Sequence, residues 1–205
     1  MMSTLESLVS KLEREGYVKS KRVREAMLAV DRRDFVNELE HAYIDEPLPT
    51  MDGQTISAPH MVAMMLELAE IKENYRILEI GTGSGYNAAL LSYLADHGVV
   101  VTIEKSELLY RYALKNLKKY SFTKNIKLIA GDGAYGYAPE APYNVIMVTC
   151  SVLEIPSPLL DQLSDPGKMA IPIGRMFEQE LYLIEKHGNS IHKKMIAPVS
   201  FVNMY

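Results

Sequence analysis

From about residue 58 to residue 174 the sequence alternates short apolar runs with helical stretches, and few folds accept that alternation. A helical pattern over about 58–70 leads into "RILEI", then a glycine loop and "YNAALLSYLAD". "VVVTIE" precedes a second helical pattern over about 106–120. "IKLIAGD", "NVIMVTC" and "GKMAIPIG" follow, with a helix opening near Pro156 before the last of them. Strands this short and this apolar are buried on both faces, which calls for parallel pairing with helices above and below. The expected fold is α/β, a doubly wound and mostly parallel Rossmann-like sheet with helices on both faces. After residue 174 no helix separates the apolar runs, and His187-Gly188-Asn189 reads as a turn. An antiparallel hairpin should therefore finish the sheet at one edge.

The first 57 residues read differently. Ser3 and Glu6 have capping-box spacing, followed by Leu5, Leu8, Val9 and Leu12 at helical intervals. Ser20 opens a second helical pattern through Val23, Met27, Leu28 and Val30. Residues 31–57 lose periodicity and carry Pro47, Pro49 and Gly53, while Phe35, Tyr43 and Leu48 favour an ordered path. Loops of this length in compact domains are usually functional or disordered. A length of 205 residues suits one domain. In it, 1–57 is a helical extension and loop, 58–174 the α/β core and 175–205 the C-terminal strands.

The net charge of −4 argues against a general nucleic-acid binder. No run approaches the ~18 apolar residues of a membrane span. The acid-bearing N-terminus suits neither a secretory signal nor a transit peptide. A single cysteine, Cys150, forbids an internal disulfide, and a reducing cytoplasm is the simplest compartment. His41, His97, His187 and His192 lack metal-ligand spacing, so no metal is expected. The basic residues Arg111, Lys115, Lys118, Lys119 and Lys124 read as a solvated helix face.

The stretch "LEIGTGSGYNAAL" carries the chemistry. Gly81, Gly83 and Gly85 sit where a strand turns into a helix, so backbone can pass close to a ligand. The dinucleotide fingerprint needs glycine at the sixth position, and this chain has Tyr86 there. Glu79, two residues before the glycines, would repel a diphosphate and suit a cationic ligand. S-adenosylmethionine carries an ammonium and a sulfonium and no phosphate. Glu104 ends the next strand, placed for ribose hydroxyls, and Asp132 ends the third, where it could accept from an adenine amino group. The plainer reading is that strand-end acids cap the helices that follow them. Three acids with the glycines at one sheet edge favour a cofactor pocket.

With these residues in view the chain resembles the protein-L-isoaspartate O-methyltransferase family, from about residue 4 to its end. "LPTMDGQTISAPHMVAMMLELAEI", "ILEIGTGSGYNAALL", "GDGAYGYAPEAPYNVIMVT" and "GKMAIPIG" match the family's blocks in order and spacing. Asn144 stands where the family commonly has aspartate, and Cys150-Ser151-Val152 where small residues are common. The resemblance implies a class I methyltransferase fold. It implies S-adenosylmethionine as cofactor and S-adenosylhomocysteine as product. The implied partners are proteins and peptides bearing L-isoaspartyl residues, whose free carboxylate is methylated on the way to repair through a succinimide. A monomer is the simpler expectation for the chain itself.

The resemblance also assigns roles. Ser57 would donate to the substrate carboxylate, with Thr55 and His60 helping to hold the substrate. Thr55 and Ile56 would roof the cofactor. Glu79, Gly81, Thr82, Gly83, Ser84, Glu104, Lys105, Asp132 and Gly133 would line its pocket. The plainer reading of Ser57 is a helix N-cap, since Ser-Ala-Pro suits a helix start; of His60, a first-turn histidine. Three rival classes stand beside this one. Tyr86 and Glu79 disfavour a nicotinamide oxidoreductase. A methyltransferase of RNA or a small molecule leaves residues 46–61 unexplained. A non-catalytic adenosylmethionine binder would show occupancy without turnover.

Overall fold

The computed structural model describes residues 4–175, 178–188 and 190–204. Helix α1 (Leu5–Arg14) starts at Thr4, whose hydroxyl accepts from Ser7 N–H while Ser7 Oγ accepts from Thr4 N–H. The capping box is thus Thr4–Ser7 and not Ser3–Glu6, and Ser3 lies outside the described residues. Helix α2 (Lys21–Ala29) is capped by Ser20, as its spacing predicts. Residues 31–57 then run through two single turns and a two-stranded ribbon, β1 (Leu48–Pro49) against β2 (Thr55–Ile56). Phe35 is fully buried and Leu48 nearly so, which is why a segment without periodicity holds one path.

The core follows the expected alternation: α3 (Pro59–Ala69), β3 (Arg76–Ile80), α4 (Tyr86–Leu94), β4 (Val99–Glu104), α5 (Glu107–Leu117) and β5 (Ile126–Ala130). After them come β6 (Tyr143–Val148), α6 (Ser157–Gln162), β7 (Leu163–Arg175), β8 (Glu178–His187) and β9 (Ser190–Val199). The seven strands β3–β9 form one sheet in the order β5-β4-β3-β6-β7-β8-β9. All pairs from β5 to β7 are parallel; β8 and β9 pair antiparallel. The expected edge hairpin is present, with Asn189 of its turn outside the described residues.

Strand parity splits the core. Ile77, Val100, Val145 and Met147 face α1–α4, whereas Leu78, Ile80, Val101, Ile103, Ile146 and Val148 face the side covered by α6. The chain leaves β3 toward β5 in one direction and returns to β6 and β7 in the other. The carboxyl ends of β3 and β6 therefore diverge at a switch point, where open α/β sheets bind ligands.

Candidate active site

A cavity of about 460 Å³ opens at that switch point. Thr55, Ile56, Ser57, Gly81, Thr82, Gly83, Ser84, Glu104, Lys105, Asp132 and Gly133 all line it. Gly81 lies at φ +91°, and a Cβ there would stand 2.7 Å from Thr149 Oγ1, so glycine is required. The loop's donors are largely engaged by the protein. Gly81 and Thr82 N–H donate to Ile103 O, Gly85 N–H to Thr82 O, and Gly83 N–H to Glu104 Oε2 at 2.8 Å. A loop so engaged offers little to a diphosphate, which needs free backbone N–H groups.

Glu104 is nearly buried, and its other oxygen accepts from Ser106 N–H at 2.9 Å. Each carboxylate oxygen keeps a lone pair for a ligand hydroxyl. Asp132 caps the turn that follows it, as the plainer reading foresaw, and also meets a cation that reading did not name. It accepts from Ala134 N–H at 3.0 Å, capping the turn Gly133–Tyr135, and pairs with Lys105 Nζ at 3.0 Å. The Ala134 N–H, followed by Lys105, holds its carboxyl below the usual carboxylate range.

Glu79 departs from the expectation. It has no exposed surface and does not line the cavity. Its parity turns it toward α4, where Asn87 Nδ2 donates at 2.8 Å and Thr102 Oγ1 at 2.5 Å. Burial pushes its pKa up to about 7. The acid expected to meet the ligand's ammonium directly stands behind the wall.

Ser57 also departs from its plainer reading. The N-cap of α3 is Ala58, with Pro59 at the first helical position and no side-chain cap bond. The first-turn donor is met from afar instead: Asp45 Oδ1 accepts from His60 N–H and lies 2.9 Å from His60 Nδ1. His60 packs on Tyr17 at 5.1 Å and is absent from the first cavity. It lines a second one of about 440 Å³, with Pro47, Met61, Pro198 and Phe201 among the other walls. Thr55, Ser57, Thr149 and Val202 belong to both cavities and form their common boundary.

Sequence reasoning missed several residues. Arg32 is fully buried and donates to the carbonyls of Ser57 at 2.8 Å and Glu46 at 3.2 Å. Burial lowers its pKa to about 10, which leaves it charged at neutrality. Asn87 lines the first cavity, and its Oδ1 has no partner among the described residues. The C-terminal residues Val202, Asn203 and Met204 return over the sheet edge, where Ser151 and Val202 exchange a backbone bond of 2.7 Å. Their apolar–polar alternation could have suggested an extended segment, but nothing local shows where it docks. Glu73, Asp96 and His97 cluster on the exposed surface, all outside the residues that line either cavity. No helix among the described residues is long and apolar enough to cross a membrane.

Comparisons with known proteins agree with this geometry. A relative named protein-L-isoaspartate O-methyltransferase from Methanopyrus kandleri is 48% identical over 201 residues, spanning 96% of this chain and 89% of that protein. One of the same name from Thermococcus sibiricus is 49% identical over 200 residues, spanning 95% and 90%. A crystal structure of the Plasmodium falciparum enzyme of that name, in complex with S-adenosyl-L-homocysteine, superposes with a TM-score of 0.90 at 30% identity over 99% of both chains. The model of the Protein-L-isoaspartate(D-aspartate) O-methyltransferase family matches residues 3–205, and the chain belongs to that family.

Proposed function

We propose that the protein methylates the free α-carboxylate of L-isoaspartyl residues in damaged proteins and peptides, using S-adenosylmethionine. The carrying observation is the boundary of Thr55, Ser57, Thr149 and Val202 between two adjoining cavities, one on each side of a transfer path. The first cavity fits the cofactor's chemistry. Glu104 offers lone pairs to ribose hydroxyls, and the loop's engaged donors leave no phosphate cradle. Thr55 and Ile56 close the cavity from the β2 side; Gly133 and Asp132 close it at β5. The cofactor supplies an electrophilic methyl on a sulfonium.

The acceptor needs no activation, because its carboxylate is already ionised at neutral pH. The protein's task is to orient it and keep water out. Ser57, whose hydroxyl does not cap α3, donates to one carboxylate oxygen and leaves the other toward the first cavity. Transfer joins a cation and an anion into two neutral products, a change favoured by an apolar site. No proton is released, and the boundary correspondingly holds hydroxyls and apolar groups with no general base. His60, fixed by Asp45, lines the peptide side. The ester then cyclises to a succinimide, whose hydrolysis restores some aspartate. Damaged cytoplasmic proteins are the proposed partners, with no part for nucleic acid or membrane.

The deciding experiment is labelled methyl transfer to paired peptides that differ only in aspartate or isoaspartate at one position. The isoaspartyl carboxylate lies one methylene closer to the backbone, so a site that fixes it rejects the aspartyl twin by misplacement. Label in the isoaspartyl peptide alone is the expected result. Equal label in both would overturn the substrate assignment.

A further inference from the structure

Gln179 is buried on β8 and shares parity with Leu181, where the strand's pattern calls for an apolar side chain. A buried amide is unfavourable unless its polar atoms find partners. Here all of them do. Oε1 accepts from Phe201 N–H at 2.6 Å, while Nε2 donates to Phe201 O at 3.0 Å and to Ser151 Oγ at 2.9 Å. The backbone of Gln179 is in register with Val199, the last residue of β9. For Phe201, just past the end of β9, the side-chain amide acts as the neighbouring strand and supplies both bonds of a ladder pair. Among the described residues no other group bonds to the Phe201 backbone. A second hold follows at once. Ser151 N–H donates to Val202 O at 2.7 Å, Met204 N–H to Ser151 O at 2.8 Å, and Ser151 Oγ to Asn203 Oδ1 at 2.9 Å. The two holds serve different walls. Of the two cavities, Phe201 lines the second, Asn203 and Met204 the first, and Val202 both; Gln179 lines neither.

We propose that Gln179 is a positioning residue for the methyl acceptor. Working through the backbone of Phe201, it fixes the wall of the second cavity against which the isoaspartyl peptide lies, while Ser151 fixes the wall on the cofactor's side. This rests on the reaction proposed above. Without the amide, the N–H and carbonyl of Phe201 keep no partner among the described residues, and the segment is free to leave its place. Peptide binding must then order the wall again, and affinity falls by the cost of that ordering. The wall meets the peptide alike before and during transfer, so the loss falls on KM and not on kcat. The cofactor's side keeps its own bonds, because the backbone of Ser151 holds Val202 and Met204 whatever side chain stands at position 179.

Initial rates of labelled methyl transfer to an isoaspartyl peptide, with calorimetry of S-adenosylhomocysteine beside them, test this. Gln179→Met keeps similar length and volume and removes the amide. Its KM for the peptide should rise about tenfold, with kcat and the affinity for S-adenosylhomocysteine each within about twofold of wild type. A merely structural role would act otherwise, since a smaller folded fraction lowers kcat and leaves KM alone. Ser151→Ala removes one acceptor of the Gln179 amide and keeps both backbone bonds of Ser151, so its KM should rise by about two- to threefold with S-adenosylhomocysteine affinity retained. It also serves as the test should Gln179→Met fail to fold. A wild-type KM in the folded variant, a fall in kcat at unchanged KM, or a loss of S-adenosylhomocysteine affinity as large as the rise in KM would overturn the proposal and leave the proposed reaction standing. A wild type that methylates no isoaspartyl peptide would overturn the reaction itself, and the proposal with it.

Discussion

Arg32 holds Ser57 by its backbone. Nη1 donates to the Ser57 carbonyl at 2.8 Å, and Nη2 reaches the carbonyl of Glu46, so one guanidinium ties both ends of the 46–57 loop. Its carbon lies 5.6 Å from the centroid of the Tyr86 ring, at the start of α4. Ser57, on the boundary between the two cavities, is therefore referenced to the helix that follows the glycine loop. The two cavities share a buried fixed point.

Arg32→Met should fill similar volume and leave two carbonyls without donors. A stability loss of about 2–4 kcal/mol in urea denaturation is expected. Arg32→Lys keeps the charge but not the fork, and should recover part of the stability while turnover with isoaspartyl peptide stays low. Full turnover in Arg32→Lys would show that the loop does not depend on the fork.

Glu104→Gln tests the ribose side. Its amide can accept from Gly83 N–H or from Ser106 N–H, but its other end presents a donor to a donor. Affinity for S-adenosylhomocysteine should fall by about 1.5–3 kcal/mol in calorimetry, with the fold retained. Unchanged affinity in a folded variant would remove Glu104 from the pocket's binding set.

Glu79 makes a separate prediction for stability without cofactor. Its folded pKa, about 7, lies above the ordinary value of 4.5, opposite to the usual carboxylate. The native state therefore holds its proton more tightly than the unfolded chain. Stability from this group is present in full below the unfolded value and is lost as pH rises toward 7. Glu79→Gln has no such loss. The difference in unfolding free energy should move in the variant's favour between about pH 4.5 and about pH 7, by on the order of 3 kcal/mol. A difference that is flat with pH would mean that Glu79 is ionised throughout that window.

What could be read from sequence divides along physical lines. β3 and β4 match the runs "RILEI" and "VVVTIE" because periodic burial writes itself into consecutive residues. Even Glu79's place behind the wall was available, since it shares parity with Ile77 and not with Leu78 and Ile80. The cap of α3 was not, because its acceptor, Asp45, lies 15 residues before His60. Arg32 sits in "RRDF", where nothing local separates a buried arginine from an exposed one. The docking of Val202–Met204 is wholly tertiary, set by the partner bonds of Ser151 with Val202 and Met204.

Ser57 carries the most direct test of the transfer path. The helix start is served by Ala58, Pro59 and Asp45, so Ser57→Ala should leave stability within about 0.5 kcal/mol, less than the ~1 kcal/mol of a lost N-cap. Turnover with isoaspartyl peptide should nevertheless fall by about tenfold, the value of one lost hydrogen bond to a charged group. Affinity for S-adenosylhomocysteine should stay near wild type, because the missing contact is to the acceptor. Ser57→Asp sharpens the contrast. Arg32 holds the residue through its backbone carbonyl, so the variant should keep the loop in place and set a carboxylate against the substrate's own. It should fold, bind the product analogue and fail to methylate. A Ser57→Asp protein with wild-type turnover would show that the substrate carboxylate approaches the methyl by a route that does not pass this residue.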